Sequence, residues 1–328
     1  MPMPVRSHTA NKVREPVSFV QARCRSGCSA RKRSVSVFCS AEKDRGASRA
    51  VVILPGLGNS SGDYTALSTL LTDRGLHVET ASVARIDWMR NAAGLRYRAY
   101  WTGNLKPRPT VDWYLNRVEA AMDSAKRAVD GGPVTLLGHS AGGWLGRLFL
   151  LEFGTAGVDR FVSLGSPHNP PPKGAPGVID QTRGILTWME DSCPGAFHDD
   201  VEYTSVAGKF LKGATFTGSG GDGAVTFNQR VVGAGYQQVC GSAEVWGDGV
   251  VPVPAALLEG SAQVVLDGVY HSPLGAVEPK EPAPPGAQPA ARPWYGSVGV
   301  IDQWLGSVTG ERAMEPDNAS ALDTTRLP

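Results

Sequence analysis

An α/β architecture, a mostly parallel central sheet flanked by helices, is predicted for this chain by three observations. From about Ala50 onward, short apolar runs alternate with stretches of helical periodicity, which is how a helix-covered parallel sheet reads in sequence. The chain is 328 residues long and 41% hydrophobic, enough for one large core. At Leu136 to Arg147, LLGHSAGGWLGR, a strand pattern passes directly into a helix pattern through a turn of small residues.

The elements follow in order. Ala50 to Leu54 (AVVIL) reads as a buried strand stopped by Pro55-Gly56. Asp63 is placed as the cap of a helix bearing Tyr64, Leu67, Leu70 and Leu71 and ending at Gly75. His77 to Val83 alternates as a second strand. Trp113 to Asp130 gives the strongest helix, with Tyr114, Val118, Ala121, Met122, Ala125 and Val129 on one stripe before Gly131-Gly132. Val134 to Leu137 is a strand, and Ala141 to Phe153 a helix closed by Gly154. Arg160 to Leu164, Val201 to Lys209 and Val264 to Val269 read as further strands. Trp294 to Val308 reads as a final helix.

Composition divides the chain. Up to Ser40 there are eight basic residues, one acid (Glu15) and seven serines, so the opening carries +7 while the remainder carries −6 and the whole +1. An Arg- and Ser-rich, acid-poor opening without an apolar core reads as a transit peptide over residues 1–40, with Val37 to Ala41 (VFCSA) resembling a chloroplast processing site. The chloroplast is the expected address, the mitochondrion the alternative. The acidic remainder argues against nucleic-acid binding. Only Cys193 and Cys240 follow the opening, so no disulfide framework is expected. Cys24 and Cys28 lack a His or Cys pair at zinc-ligand spacing, and no metal is expected. No run reaches the roughly 20 apolar residues that span a bilayer. The folded domain is expected over 50–309, with a Pro/Gly-rich insertion at 166–200, a Pro-rich loop at 278–293 and a disordered tail at 310–328.

Chemistry concentrates at Ser140. Gly138-x-Ser140-x-Gly142 falls at a strand-to-helix junction, the context in which G-x-S-x-G means a nucleophile held on a sharp turn. Gly138 and Gly142 leave room beside it, and the following helix points its N-terminal amides at developing negative charge.

These residues resemble the α/β-hydrolase family of serine lipases and esterases, over roughly Ala50 to Val308. The resemblance implies the order Ser, acid, His. It assigns the base to His271 in VVLDGVYHSP, with His168 in LGSPHNPPP as rival and His198 in the insertion. The acid is Asp248 in GDGVVPV, with Asp222 in GGDGAV as a near copy. The Ser-Pro-His turn at 166–168 resembles a support beneath the active site in lipases and GPI-inositol-deacylase-like proteins. His139 is expected to point to the far side of the turn. The loop Pro55 to Ser61 implies an oxyanion hole from the Leu57 and Ala141 amides, Pro55 standing where relatives often have His.

The activity so implied is hydrolysis of a lipophilic ester through an acyl-enzyme, without cofactor or metal, on a plastid lipid or pigment ester. Trp144 and Trp188 are the expected pocket side chains, and the insertion carrying Trp188 is a candidate lid. Contact with a membrane surface and oligomeric state stay open. Algal chlorophyllase-like proteins resemble GHSAGG more closely than land-plant chlorophyllases, so hydrolysis of the chlorophyll phytyl ester is the specific alternative. A non-catalytic ligand receptor on the same scaffold is the alternative of another class.

Overall fold

Ala50–Leu54 forms the first strand, β1, and every one of its residues is buried. Its side chains alternate between two cores. Ala50, Val52 and Leu54 face one, Val51 and Ile53 the other, so helices must cover both faces of the sheet. The computed structural model describes residues 49–175, 177–216, 225–277 and 292–311. The expected transit segment, Asp222 and most of the Pro-rich loop and tail lie outside the described residues.

After β1 come a 3₁₀ turn at Ser61–Tyr64, helix α1 (Thr65–Thr72) and strand β2 (His77–Thr80). A long 3₁₀ run, Arg85–Arg96, leads to α2 (Arg98–Trp101) and α3 (Asp112–Ala128). Strand β3 (Val134–His139) feeds α4 (Ala141–Phe153), then β4 (Val158–Leu164) and α5 (Ile185–Ser192). Strand β5 (Glu202–Lys209) is followed by β6 (Leu211–Lys212), α6 (Phe227–Cys240), β7 (Trp246–Gly247), α7 (Val253–Ala256) and β8 (Ala262–Asp267). Helix α8 is Gly306–Thr309.

Six strands form one sheet in the order β2-β1-β3-β4-β5-β8, all pairs parallel, while β6 and β7 form a separate antiparallel ribbon. One face packs against α3, α4 and α5; the other packs against α1 and the segment from Trp294 to Val308. Parallel strands present all their carboxyl ends at one edge. The chain leaves β1 toward opposite sides, to β2 and to β3, and such a switch point opens a crevice at that edge.

Two sequence expectations change here. Trp294 to Val308 is not one helix but turns, a 3₁₀ turn at Ile301–Gln303 and the short α8. Gly296 and Gly299 (φ 81°) fall in its turns, and the Ser297 hydroxyl accepts the Trp294 amide to close a local turn. Its apolar residues are core all the same: Trp304 and Val308 are buried beneath the sheet. The cap of the first helical turn is Ser60 rather than Asp63. Asp63 lies three residues inside and reaches back to accept the Ser60 amide at 2.8 Å. Helix α6 and the 3₁₀ run at Arg85–Arg96 carry no sequence signal strong enough to place them beforehand.

Candidate active site

Ser140 follows β3 directly, and its φ of 52° with ψ of −126° is strained for a residue bearing a Cβ. The surrounding packing imposes that geometry. A Cβ on Gly138 would lie 2.6 Å from Gly143 Cα, and one on Gly142 only 2.1 Å from the Leu54 carbonyl oxygen. The turn can exist only with hydrogen at both positions. Gly142→Ala is therefore expected to cost about 3 kcal/mol, a fall of roughly 10 °C in Tm by calorimetry. Gly235→Ala, on α6 with open space around it, is the control and is expected to gain about 1 kcal/mol.

The folded chain carries His271 and Asp248 to this turn. His271 Nε2 lies 3.1 Å from Ser140 Oγ, and its Nδ1 lies 2.7 Å from Asp248 Oδ2. Asp248 follows β7 of the ribbon and sits beside Gly165, after β4, and Gly208 of β5, while His271 lies on the loop after β8. Both are buried, and the His271 amide donates to the Asp248 carbonyl at 3.0 Å, so the two backbones are tied as well.

The carboxylate of Asp248 is saturated with donors. Oδ1 accepts the amides of Val250 (3.0 Å) and Val251 (2.7 Å); Oδ2 accepts His271 Nδ1–H and the Tyr295 hydroxyl at 2.8 Å. Burial, reinforced by the Asp248 charge, pushes the Tyr295 phenol well above its ordinary pKa, so it remains a donor. Its oxygen in turn accepts the Gly208 amide. Gly165 is needed beside this pair, since a Cβ there would lie 2.5 Å from Asp248 Oδ2. Tyr295 is not legible in the sequence, because Pro293-Trp294-Tyr295-Gly296 reads only as the start of an apolar segment.

His139 is structural but does not point away. Its ring lies 4.9 Å from that of His271, between centroids, and Nε2 sits 2.9 Å from the His271 carbonyl oxygen. A carbonyl only accepts, so Nε2 carries the proton and Nδ1 accepts from the Tyr64 hydroxyl at 2.8 Å. Tyr64 oxygen accepts the Gly56 amide at 2.9 Å. One chain of hydrogen bonds thus joins the loop after β1 to the backbone of His271. The orientation was not legible because Tyr64 and His271 are distant in sequence and meet only in the fold.

Burial, then the nearby His271 charge, lowers the His139 pKa to about 3. Burial and then the Arg147 charge hold His168 well below its usual value. Both stay neutral in the fold, whereas the unfolded chain protonates each near 6.5. Their contribution to stability is therefore complete above about pH 6.5 and lost as pH falls toward the folded values, by about 1.4 kcal/mol per pH unit for each imidazole. Urea midpoints between pH 7 and 4.5 are expected to fall accordingly, and His168→Gln to reduce the slope by one proton.

His168, the rival base, is buried with Nε2 on Ser163 Oγ at 2.9 Å, and His198 pairs with the Tyr203 hydroxyl at 2.7 Å. Neither makes a hydrogen bond to Ser140. The amides of Leu57 and Ala141 meet no acceptor among the described residues, and both residues line the same cavity as Ser140.

That cavity is about 270 Å³, with Trp144, Leu145, Trp88, Tyr114, Ile185 and Leu186 among its walls. Trp144 lines it. Trp188 does not; it faces away on α5 and packs, half-buried, against the core. The insertion forms a wall of the cavity through Ile185 and Leu186, both buried, and is tied down where the Leu105 amide donates to the Arg183 carbonyl at 2.8 Å.

A parallel sheet in this order, with a strained serine on the strand-to-helix turn after β3 and His and Asp on later loops, is the α/β-hydrolase fold. No protein-family model matches the sequence, and neither does any curated protein. Among solved structures the chain is similar to the lipase BlEst2 of Bacillus licheniformis, at 15% identity and a TM-score of 0.41 over 69% of this chain and 85% of that one. It is also similar to LpqC, a poly(3-hydroxybutyrate) depolymerase of Bordetella parapertussis, at 18% identity and a TM-score of 0.38 over 68% and 73%.

Proposed function

We propose that the protein is a serine carboxylic-ester hydrolase acting on a lipophilic ester. The observation that carries this reading is the continuous path Ser140 Oγ, His271 Nε2, His271 Nδ1, Asp248 Oδ2, with 3.1 Å and 2.7 Å at its two hydrogen bonds. Ser140 alone is a weak nucleophile. His271 takes its proton as Oγ bonds to the ester carbonyl carbon, and Asp248 holds the imidazole in the Nδ1–H form and stabilises the imidazolium. The carbonyl π electrons pass to oxygen, which is held by the Leu57 and Ala141 amides. As the tetrahedral intermediate collapses, His271 gives its proton to the departing alkoxide. Water, deprotonated by the same imidazole, then attacks the acyl-enzyme and releases the acid and Ser140. The chemistry needs no cofactor.

The cavity supports the substrate class. Its walls are mainly aromatic and aliphatic, and at about 270 Å³ it suits a hydrocarbon chain. With the transit-like opening, this supports a plastid lipid ester, an acyl glycerolipid first; the phytyl group is a hydrocarbon chain too, so the phytyl ester of chlorophyll is the alternative. The test is a panel of p-nitrophenyl esters, galactolipid and chlorophyll, with Ser140→Ala as control. Turnover of the acyl esters, lost in the control, is expected. Chlorophyll as the best substrate would replace this reading with the chlorophyllase one, and ligand binding without any turnover would replace it with the receptor.

A further inference from the structure

Between residues 81 and 111 the chain holds six basic residues (Arg85, Arg90, Arg96, Arg98, Lys106 and Arg108) and a single acid, Asp87. Asp87 is buried and bound by Arg117 through two hydrogen bonds. Arg96, Arg98 and Lys106 are exposed and make no ion pair or side-chain hydrogen bond among the described residues. Interleaved with these cations stand large apolar side chains turned to solvent: Ile86, Met89 and Trp101 are each 68% exposed, and Leu95 43%.

This outward display belongs to an anchored element. Trp88 packs edge-on against Trp113 at 5.2 Å, and its indole N–H donates to the Asn59 carbonyl at 2.8 Å. The same segment supplies Trp88, Asn91 and Tyr100 to the wall of the cavity containing Ser140. Leu57, 63% exposed, lines that cavity too. Apolar exposure, unpaired cations and the apolar cavity therefore share one segment.

We infer that this segment, 85–101, docks the protein on an anionic lipid surface. Apolar side chains can enter the headgroup boundary while the arginines meet lipid phosphates, a pairing that needs no fixed hydrogen-bond pattern in the partner. The one amide in the segment suited to specific recognition, Asn91, is already engaged by the Trp113 indole at 2.9 Å, which favours a lipid surface over a protein partner. A hydrocarbon chain leaving the bilayer would then reach the cavity without crossing water.

The full chain is mixed with vesicles of phosphatidylcholine alone or with equal phosphatidylglycerol, both brominated on the acyl chains. The first 40 residues carry +7 and would themselves attract the anionic vesicles, so the bromine label is what locates the contact. Tryptophan quenching on the anionic vesicles is expected, and Trp101→Phe is expected to lose most of it. At low salt, Arg96→Ala with Arg98→Ala is expected to weaken binding by roughly 30-fold, a difference that high salt removes. Hydrolysis of water-soluble p-nitrophenyl butyrate is expected to be unchanged in both variants. Quenching unaffected by Trp101→Phe, equal binding by the arginine variant, no preference for the anionic vesicles, or a soluble dimer that buries these residues would each overturn the inference. Ser140→Ala is expected to bind as wild type, so a failure of the hydrolase reading leaves this result distinct.

Discussion

Ser140→Ala is expected to lower kcat for p-nitrophenyl ester hydrolysis by about 10⁵-fold while leaving the protein folded. The loss is that large because no other nucleophile can take over. His271 Nε2 would be left facing a methyl group, and His139 and His168 are committed elsewhere: His139 to Tyr64 and the His271 carbonyl, His168 to Ser163. What remains would come from oxyanion binding and water. The fold should survive because alanine keeps the Cβ already accommodated at φ 52°, and the Ser140 side chain makes no hydrogen bond besides that to His271 among the described residues. Steady-state kinetics with a thermal melt of each protein separates lost chemistry from lost structure.

Asp248→Asn should be nearly as damaging, with kcat down by about 10⁴-fold. The carboxylate accepts two hydrogen bonds on each oxygen, from Val250, Val251, His271 and Tyr295. A carboxamide has one accepting oxygen, so its NH₂ must face donors on one side. If it faces His271, the imidazole must shift its proton to Nε2 and can no longer take one from Ser140. If it faces the Val250 and Val251 amides, donor meets donor in a buried pocket, and about 1–3 kcal/mol of stability is lost instead. The imidazole can change tautomer whereas the two backbone amides can only donate, so the first arrangement is expected: steady-state kinetics shows the loss of kcat, and a folded variant with wild-type kcat would contradict it.

The contrast between Ser140 and Tyr295 shows what this sequence makes legible. Ser140 stands between glycines at a strand-to-helix junction, a local arrangement whose physics acts within a few residues of chain. Asp248 and His271 are legible only through the order that a resemblance implies. Tyr64, Tyr295 and the inward turn of His139 depend on contacts between residues 47 to 132 positions apart, which no local pattern records. The C-terminal segment is not one helix for the complementary reason: its apolar residues are core, but Gly296, Gly299 and a serine turn set its backbone. On α5, Ile185 and Leu186 line the cavity and are core as well, while Trp188 packs half-buried against that core without reaching the cavity. Sequence periodicity finds the helix without saying which face meets which.

The claim on which the rest depends is that one hydroxyl is made reactive by its surroundings. Incubation with a fluorophosphonate followed by mass spectrometry of the digested protein tests it most directly. A single adduct on the peptide containing Ser140, absent from Ser140→Ala and strongly reduced in Asp248→Asn, is the result predicted. An intact, folded protein that takes no label, or takes it on another serine, would contradict the account.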